Sequence, residues 1–231
     1  MFRRTKSINF SIVMPTYNRS GCIKRAVDSV LNQKYENFEL LIVDDGSTDN
    51  TEELILSAYP EEIKNGKIVY ARFAHSGVCH ARNMGLRLAK NAWIAYMDTD
   101  NIMMPEFLAS FVEVMNRKKA ECYYCKIAIC HKGITIGKRF KYKRLKKSNY
   151  IDMGAFVHSK KLYLEYGGFD ENLKRFVDWD LVLNYTQYAK PAFINKVLVD
   201  YNDSEDISRI SNSENDQENY DIIRRKYGFI K

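Results

Sequence analysis

The sequence predicts an α/β domain built on a mixed, mainly parallel sheet flanked by helices. Three observations carry that prediction. Short apolar runs alternate with amphipathic segments through the first hundred positions. The run at residues 38–43 is apolar at nearly every position, as a strand covered on both faces requires. Strand-helix-strand spacing of this kind implies right-handed crossovers and parallel pairing.

The elements follow in order. Residues 9–14 form a β-rich run ending at Pro15. Over residues 22–31, Ile23, Ala26, Val27, Val30 and Leu31 recur at helical spacing, the stripe of an amphipathic helix. The strand at 38–43 ends in the turn Asp44-Asp45-Gly46-Ser47, and residues 51–58 read as a second helix. Residues 68–73 give a strand, 76–90 a helix, and 93–97 a fourth strand running into Asp98, with Pro105 opening the next helix. The second half is less regular. Residues 122–130 resemble a strand, Gly133 a turn and 134–136 its hairpin partner, and a helix is expected over about 178–188. Residues 204–219 form a polar tail of mixed charge.

At 231 residues, 45% hydrophobic and 28% charged, the chain has the composition of one globular domain. The 36 Lys+Arg against 29 Asp+Glu leave a net charge of +7, compatible with nucleic acid, an anionic membrane face or phosphorylated ligands. No apolar stretch is long enough to cross a bilayer, and the basic start at Arg3 and Arg4 lacks the apolar run of a signal peptide. The expected location is therefore cytoplasmic. Five cysteines, an odd number, fit reduced thiols. Cys122, Cys125 and Cys130-His131 invite a zinc reading, but on a strand residues three apart face opposite sides.

In such sheets ligands bind beyond the carboxyl ends of the strands. Those ends carry Pro15-Thr16-Tyr17-Asn18-Arg19, the segment Asp44 to Asn50, and Asp98-Thr99-Asp100, so three polar clusters should meet in one crevice. Two carboxylates one residue apart suit a divalent cation, whose remaining shell phosphate oxygens fill. The plain alternative is a solvated turn. One of the aspartates of the Asp44 to Asn50 turn is a candidate acceptor for a base N–H, or else its Ser and Asp side chains cap the next helix. Tyr17 suits stacking on a nucleobase, although it is one of 16 tyrosines. Arg82 lies on the helix expected from residue 76, within reach of a pyrophosphate.

These residues carry a resemblance. Residues 11–18, SIVMPTYN, with Val43-Asp44-Asp45-Gly46-Ser47-Thr48-Asp49, resemble the opening of family 2 inverting glycosyltransferases with the GT-A fold. Gly77 with Ala81-Arg82-Asn83-Met84-Gly85 is similar to the next block, and Asp98-Thr99-Asp100 to the metal-binding D-x-D. Gly167-Gly168-Phe169-Asp170-Glu171, followed by Asp178-Trp179-Asp180-Leu181, resembles the segment carrying the catalytic base. The resemblance spans roughly residues 8–190. It implies that Pro15, Thr16, Tyr17, Arg19, Asp45, Arg82 and Asp98 hold the nucleotide-sugar and that Asp98 and Asp100 hold Mn²⁺ or Mg²⁺. It places the base at Asp178. On the acceptor side Gly154 and Trp179 are candidates, Trp179 reading equally as a core tryptophan. The single domain would comprise a nucleotide-sugar-binding half (about 8–104), an acceptor-side half (about 105–203) and a tail (204–231). Departures are Val177 where the family has Glu, His75 for a common Asn, Asn202 for Arg after Tyr201, and no histidine beyond His158. Arg209 is a candidate replacement phosphate contact.

The implied reaction is metal-dependent inverting transfer from a nucleotide-sugar, expected to be a UDP-sugar, to a hydroxyl of a glycan or lipid-linked glycan. The setting would be cell-surface polysaccharide or glycolipid synthesis. The cation would neutralise the departing diphosphate and Asp178 would take the acceptor proton. Asp178 also fits a helix N-terminal residue favoured by the dipole, a role that suits Asp180 better. The alternatives are a nucleotidyltransferase of similar topology and a catalytically degenerate nucleotide-sugar or membrane-binding module. Residues 138–147 hold seven cations (Lys138, Arg139, Lys141, Lys143, Arg144, Lys146, Lys147). They read as a solvated loop, as a peripheral contact with an anionic inner membrane face, or as attraction for an anionic acceptor. No nucleic-acid-reading element accompanies them, so no nucleic acid is expected.

Overall fold

The computed structural model describes residues 7–202 and 216–229. Its strands are β1 (Phe10–Thr16), β2 (Phe38–Asp44), β3 (Ile68–Arg72), β4 (Trp93–Tyr96), β5 (Ile102–Met103), β6 (Cys122–Ile129), β7 (Ile134–Ile136), β8 (Phe156–Ser159) and β9 (Ala192–Asp200). Its helices are α1 (Ile23–Leu31), α2 (Thr51–Ala58), α3 (Pro60–Lys64), α4 (Val78–Leu88), α5 (Phe107–Arg117), α6 (Tyr142–Leu145), α7 (Lys160–Tyr166), α8 (Val177–Tyr188) and α9 (Asp216–Lys226). A 3₁₀ turn at Met153–Ala155 leads into β8.

All nine strands join one sheet, in the order β3-β2-β1-β4-β8-β6-β9-β5, with β7 paired to β6. The strands β3, β2, β1 and β4 are mutually parallel. β8 runs antiparallel to both β4 and β6, so β6 runs with the first four, as does its parallel partner β9. β5 and β7 run the other way. The sheet is thus mixed but mainly parallel in direction. The later strands extend the first four instead of forming a sheet of their own, so the chain is a single α/β domain.

Every residue of β1 and β2 is buried, because helices cover both faces. On one face Phe10, Ile12 and Met14 pack with Ile23, Val27, Phe107 and Phe111 from α1 and α5. On the other, Val13, Leu41 and Val43 pack with Leu86, Leu181 and Tyr185 from α4 and α8. Cys122 belongs to the second layer and Cys125 to the first, so the two thiols do face opposite sides. All five cysteines are free.

Several details differ from expectation for identifiable reasons. β1 continues through Pro15, which pairs with Val43; β4 stops pairing at Val13↔Tyr96, so the missing N–H leaves no bond unmade on that side. α4 begins at Val78, because the N–H groups of Ser76 and Gly77 are drawn to the Asp45 carboxylate, both at 2.8 Å. Residues 138–147 are not wholly loop: α6 lies inside them and buries Leu145. β8 and α7 carry no readable period. β9 exposes Asn195, Lys196 and Val197 in mid-strand, beside an irregularity in its pairing with β6. Residues 204–215 of the expected tail, and Arg209 with them, lie outside the described residues. From Asp216 the chain is the helix α9.

Gly85 sets how closely α4 approaches the sheet. A Cβ there would lie 2.3 Å from Val13 Cγ1 in the middle of β1. Gly85→Ala should therefore destabilise the domain by about 1–3 kcal/mol through overpacking, read as a lower midpoint of urea unfolding.

Candidate functional site

The chain order reverses at β1, with β2 on one side and β4 on the other, so the carboxyl ends of β1, β2 and β4 open the crevice where such sheets bind ligands. Two of its walls are laced together. Asn18, with φ of 52°, accepts at Oδ1 from the N–H of Thr48 (2.7 Å) and of Asp49 (3.3 Å), and its own N–H donates to Ser47 Oγ (2.9 Å). An asparagine tolerates this left-handed conformation better than most residues. Asp49 accepts from the N–H groups of Thr51 and Ser20, each at 3.0 Å. Burial opposes its charge, but these bonds and the Thr51 hydroxyl hold its carboxyl at about 2.

The acidic pair after β2 divides its work. Asp44 is fully buried and accepts from Ser47 N–H (2.7 Å) and from the Tyr70 hydroxyl, a turn-building role. Asp45 is also buried; besides Ser76 and Gly77 its carboxylate meets His75 Nδ1 at 2.8 Å. His75 in turn stacks on Tyr17, ring centres 4.1 Å apart and 20° from parallel. Tyr17 remains 40% exposed at the crevice rim. His75 thus ties the loop before α4 to Tyr17 and Asp45, a link absent from the sequence expectation.

The centre of the site is Arg82. Its side chain is only 5% exposed, with one terminal nitrogen 2.6 Å from Asp178 Oδ1 and the other 2.9 Å from Asp98 Oδ1. The guanidinium also lies over the Phe169 ring, 5.2 Å from its centre. Burial opposes its charge, but Asp178 and Asp98 outweigh that and hold it protonated. Asp98 and Asp178 keep 31% and 28% of their side-chain surface open. Burial raises the Asp178 carboxyl above the usual range; Arg82 works against that rise and Asp98 adds to it.

The segments delivering Asp178 are fastened to α4. Asn83 donates through Nδ2 to Phe169 O (2.9 Å) and Glu171 Oε1 (2.7 Å), and its Oδ1 accepts from Phe169 N–H (2.8 Å). Gly168 allows this: a Cβ there would sit 2.3 Å from Asn83 Oδ1. α8 then starts after Phe176, whose φ of 58° is a strained conformation for an aromatic residue, costing about 1–2 kcal/mol.

Asp152 joins the same electrostatic cluster, although no motif marks it. Its Oδ1 accepts from Gly154 N–H at 2.8 Å, starting the 3₁₀ turn before β8. Burial first, then Asp178 and Asp98, push its carboxyl up to about 7 against the pull of Gly154 and Arg82. The available signal was a lone acid in the apolar run Tyr150-Ile151-Asp152-Met153.

Of the sequence candidates, Asp98, Arg82 and Asp178 come together directly. Pro15 and Thr16 end β1 beside Asp45, whose N–H donates to Thr16 O at 2.9 Å. Arg19 N–H donates to Thr51 Oγ1 at 3.0 Å. Asp100 follows Asp98 in the turn after β4, its carbonyl accepting from Arg25 at 3.1 Å. Gly154 is buried beneath Asp152. Trp179 requires correction: at 1% exposure, with its indole N–H donating to Leu145 O at 2.7 Å, it is a core residue and lines no open acceptor surface. Asp180, two residues on, is buried against α9.

The crevice contains unmet polar capacity. Thr16 Oγ1, Arg82 Nε and Asn101 Nδ2 are three of the four buried side-chain polar atoms without a partner among the described residues, and all three belong to crevice segments. Three carboxylates, Asp98, Asp152 and Asp178, also face one guanidinium. Among the described residues no three His, Cys, Asp or Glu side chains gather as a metal-binding group. A cation would therefore need oxygens from a ligand beside those of Asp98 and Asp100, as Mg²⁺-type phosphate sites do.

The family described as glycosyl transferase family 2 matches residues 11–165. An uncharacterised glycosyltransferase of Rickettsia typhi is 26% identical over 86% of this chain and 65% of its own. The chondroitin synthase of Pasteurella multocida is 26% identical over 92% of this chain and 22% of its own. A UDP-Glc:α-D-GlcNAc-diphosphoundecaprenol β-1,3-glucosyltransferase of Escherichia coli is 34% identical over 55% of this chain and 49% of its own. The chain thus spans less than two thirds of the length of these relatives. Among solved structures, S. aureus TarS 1–349 in complex with UDP-GlcNAc superposes with a TM-score of 0.80 at 18% identity, covering 96% of this chain and 66% of that one. The Pyrobaculum calidifontis mannosyltransferase PcManGT, in complex with GDP-Man and Mn²⁺, gives 0.70 at 17% identity, covering 86% and 58%. These likenesses establish the GT-A fold.

Asp152 offers a pH test. Its native carboxyl lies above the unfolded value, so the folded state binds more protons between about pH 4 and 7 and loses stability as pH rises through that window. In chelator, Asp152→Asn should raise the melting temperature at pH 8, by about 2–4 °C for each kcal/mol relieved, and change it little at pH 4.

Proposed function

The chain belongs to glycosyl transferase family 2, and from that premise we propose that it moves a sugar with inversion from a UDP-sugar to a hydroxyl of a glycan or lipid-linked glycan acceptor, in cell-surface polysaccharide or glycolipid synthesis. The observation that carries this reading is Arg82, which joins Asp98 of the D-x-D turn to Asp178 at the start of α8. One guanidinium thereby spans the two carboxylates that a donor diphosphate and an acceptor hydroxyl would need on either side of the reacting sugar.

Roles follow from chemistry. Tyr17 presents an exposed aromatic rim for the base, with Pro15, Thr16, Arg19 and Asp45 shaping the pocket behind it. Asp98 and Asp100 would hold Mn²⁺ or Mg²⁺, which supplies charge neutralisation for the diphosphate as a Lewis acid. Asp178, raised by burial, is the general base: it accepts the acceptor proton as the hydroxyl attacks. Arg82 then stands as a fixed positive charge between donor and base, countering charge that develops without reorganising.

The acceptor approaches from the Asp152 and Gly154 side in this reading. Lys138, Arg139, Lys141, Lys143, Arg144 and Lys147 are exposed, a surface suited to peripheral contact with an anionic leaflet on the cytoplasmic side. Among the described residues no helix is long and apolar enough to cross a membrane.

Asp178→Asn keeps the shape of the side chain and removes the base. It should lower kcat by about 10²–10⁴-fold while isothermal titration shows nearly unchanged UDP-sugar binding; weakened donor binding would misplace the base. Asp100→Ala should weaken Mn²⁺-dependent UDP-sugar binding itself, and full turnover in EDTA would remove the cation from the reaction.

A further inference from the structure

We propose that α9 is a positioning element for Asp178, gripping the start of α8 from the side opposite the crevice; this rests on Asp178 being the general base. Helix residues turn by about 100° each, so Asp180, two places after Asp178, points away from Arg82. What it meets is α9 and the residue after it. Lys226 Nζ lies 2.9 Å from Asp180 Oδ2 and 3.2 Å from Asp170 Oδ2. The Tyr227 hydroxyl lies 2.8 Å from Asp180 O and 2.9 Å from its Oδ1. Asp180 is buried while Lys226 keeps 38% of its side chain in solvent, so the pair is sheltered on the carboxylate side and the Tyr227 hydroxyl adds a second contact to the same buried group.

The grip extends to the segment entering α8. Asn219 Oδ1 accepts from the N–H groups of Lys174 (3.1 Å) and Arg175 (3.3 Å). Tyr220 stacks on Trp179, centres 5.6 Å apart, and meets the Phe176 ring nearly edge-on at 5.9 Å. Residues 174, 175, 176, 179 and 180 therefore all contact α9 or Tyr227, while Asp178 between them faces Arg82. Phe176 at positive φ is a conformation that persists only where its surroundings over-determine it, and Tyr220 and Trp179 supply that. Its backbone angle sets the direction in which α8 leaves the loop, and with it the reach of Asp178.

α9 also lies beyond residues 11–165, the stretch that the family matches. Asp178 lies beyond that stretch too, and α9 reaches it only through Asp180, Phe176 and Trp179. Lys226, Tyr227 and Tyr220 touch no reacting group in this arrangement; they act through Asp180 and Phe176.

The test compares Lys226→Met, the milder Tyr227→Phe, the charge-keeping Lys226→Arg and Asp178→Asn in the full chain. UDP release is measured with UDP-glucose, UDP-galactose, UDP-GlcNAc and UDP-GalNAc in Mn²⁺, and folding is checked by circular dichroism. Lys226→Met and Tyr227→Phe should lower kcat on the order of tenfold to a hundredfold, as small misplacements of reacting groups do. The KM for the UDP-sugar should stay within about twofold, the mark of lost transition-state interaction without lost donor binding. Lys226→Arg should recover most of the rate. Wild-type kcat in Lys226→Met and Tyr227→Phe beside an inactive Asp178→Asn would overturn the positioning role alone, as would a loss explained wholly by unfolded protein. Wild-type turnover by Asp178→Asn, or no turnover of any of the four by the native chain, would overturn the base assignment and this proposal with it.

Discussion

A buried guanidinium cannot stand alone. Removing a full charge from water is expensive unless partners replace the lost hydration, and Arg82 has two, Asp98 and Asp178, at hydrogen-bonding distance. The arrangement of the crevice depends on that pairing. α4 carries Arg82 because Gly85 lets the helix lie against β1. The turn after β4 carries Asp98, and α8 carries Asp178, and neither can drift without uncovering a charge. The same residue thus holds three separate stretches of chain in register and leaves one face of each carboxylate open to a ligand.

The electrostatic balance around that pairing is unequal. Asp152 adds a third carboxylate beside the two that Arg82 pairs, and its carboxyl is raised first by burial and then by Asp178 and Asp98. The basic excess of the whole chain lies elsewhere, much of it at residues 138–147 on the exposed surface. Net charge and local charge have opposite signs here, which is why the overall +7 says little about what the crevice binds.

Around the site, structural and functional demands fall on neighbouring residues. Asp44 builds the turn and Asp45 anchors the loop before α4. Asp178 faces the crevice and Asp180 faces α9. Each pair separates along the chain by one or two residues and in space by half a turn or a change of strand face. His75 shows how a departure from a familiar pattern is absorbed: its ring bonds Asp45 and covers one face of Tyr17, so the loop closes with a different side chain.

The first half of the fold was legible in the sequence because α1 repeats a helical period, β2 is an almost unbroken apolar run, and short apolar and helix-like segments alternate around them at crossover spacing. The convergence of three polar strand ends followed from parallel pairing alone. Asp98 and Arg82 were legible as candidates from their places at a strand end and on a helix, whereas Asp178 came from the resemblance to family 2 glycosyltransferases. β8, β9, Asp152 and α9 were not legible. Strands of four residues, or strands with exposed polar middles, take their conformation from the neighbours they pair with. The role of a lone acid depends on which other charges the fold brings near it. Sequence by itself determined the elements of the first half and the polar strand ends that reach the crevice, since periodicity and turn chemistry act locally. Only tertiary structure decided that Arg82 bridges Asp98 to Asp178, that Trp179 is sealed, and that α9 holds α8 from behind, because each depends on burial between segments far apart in the chain.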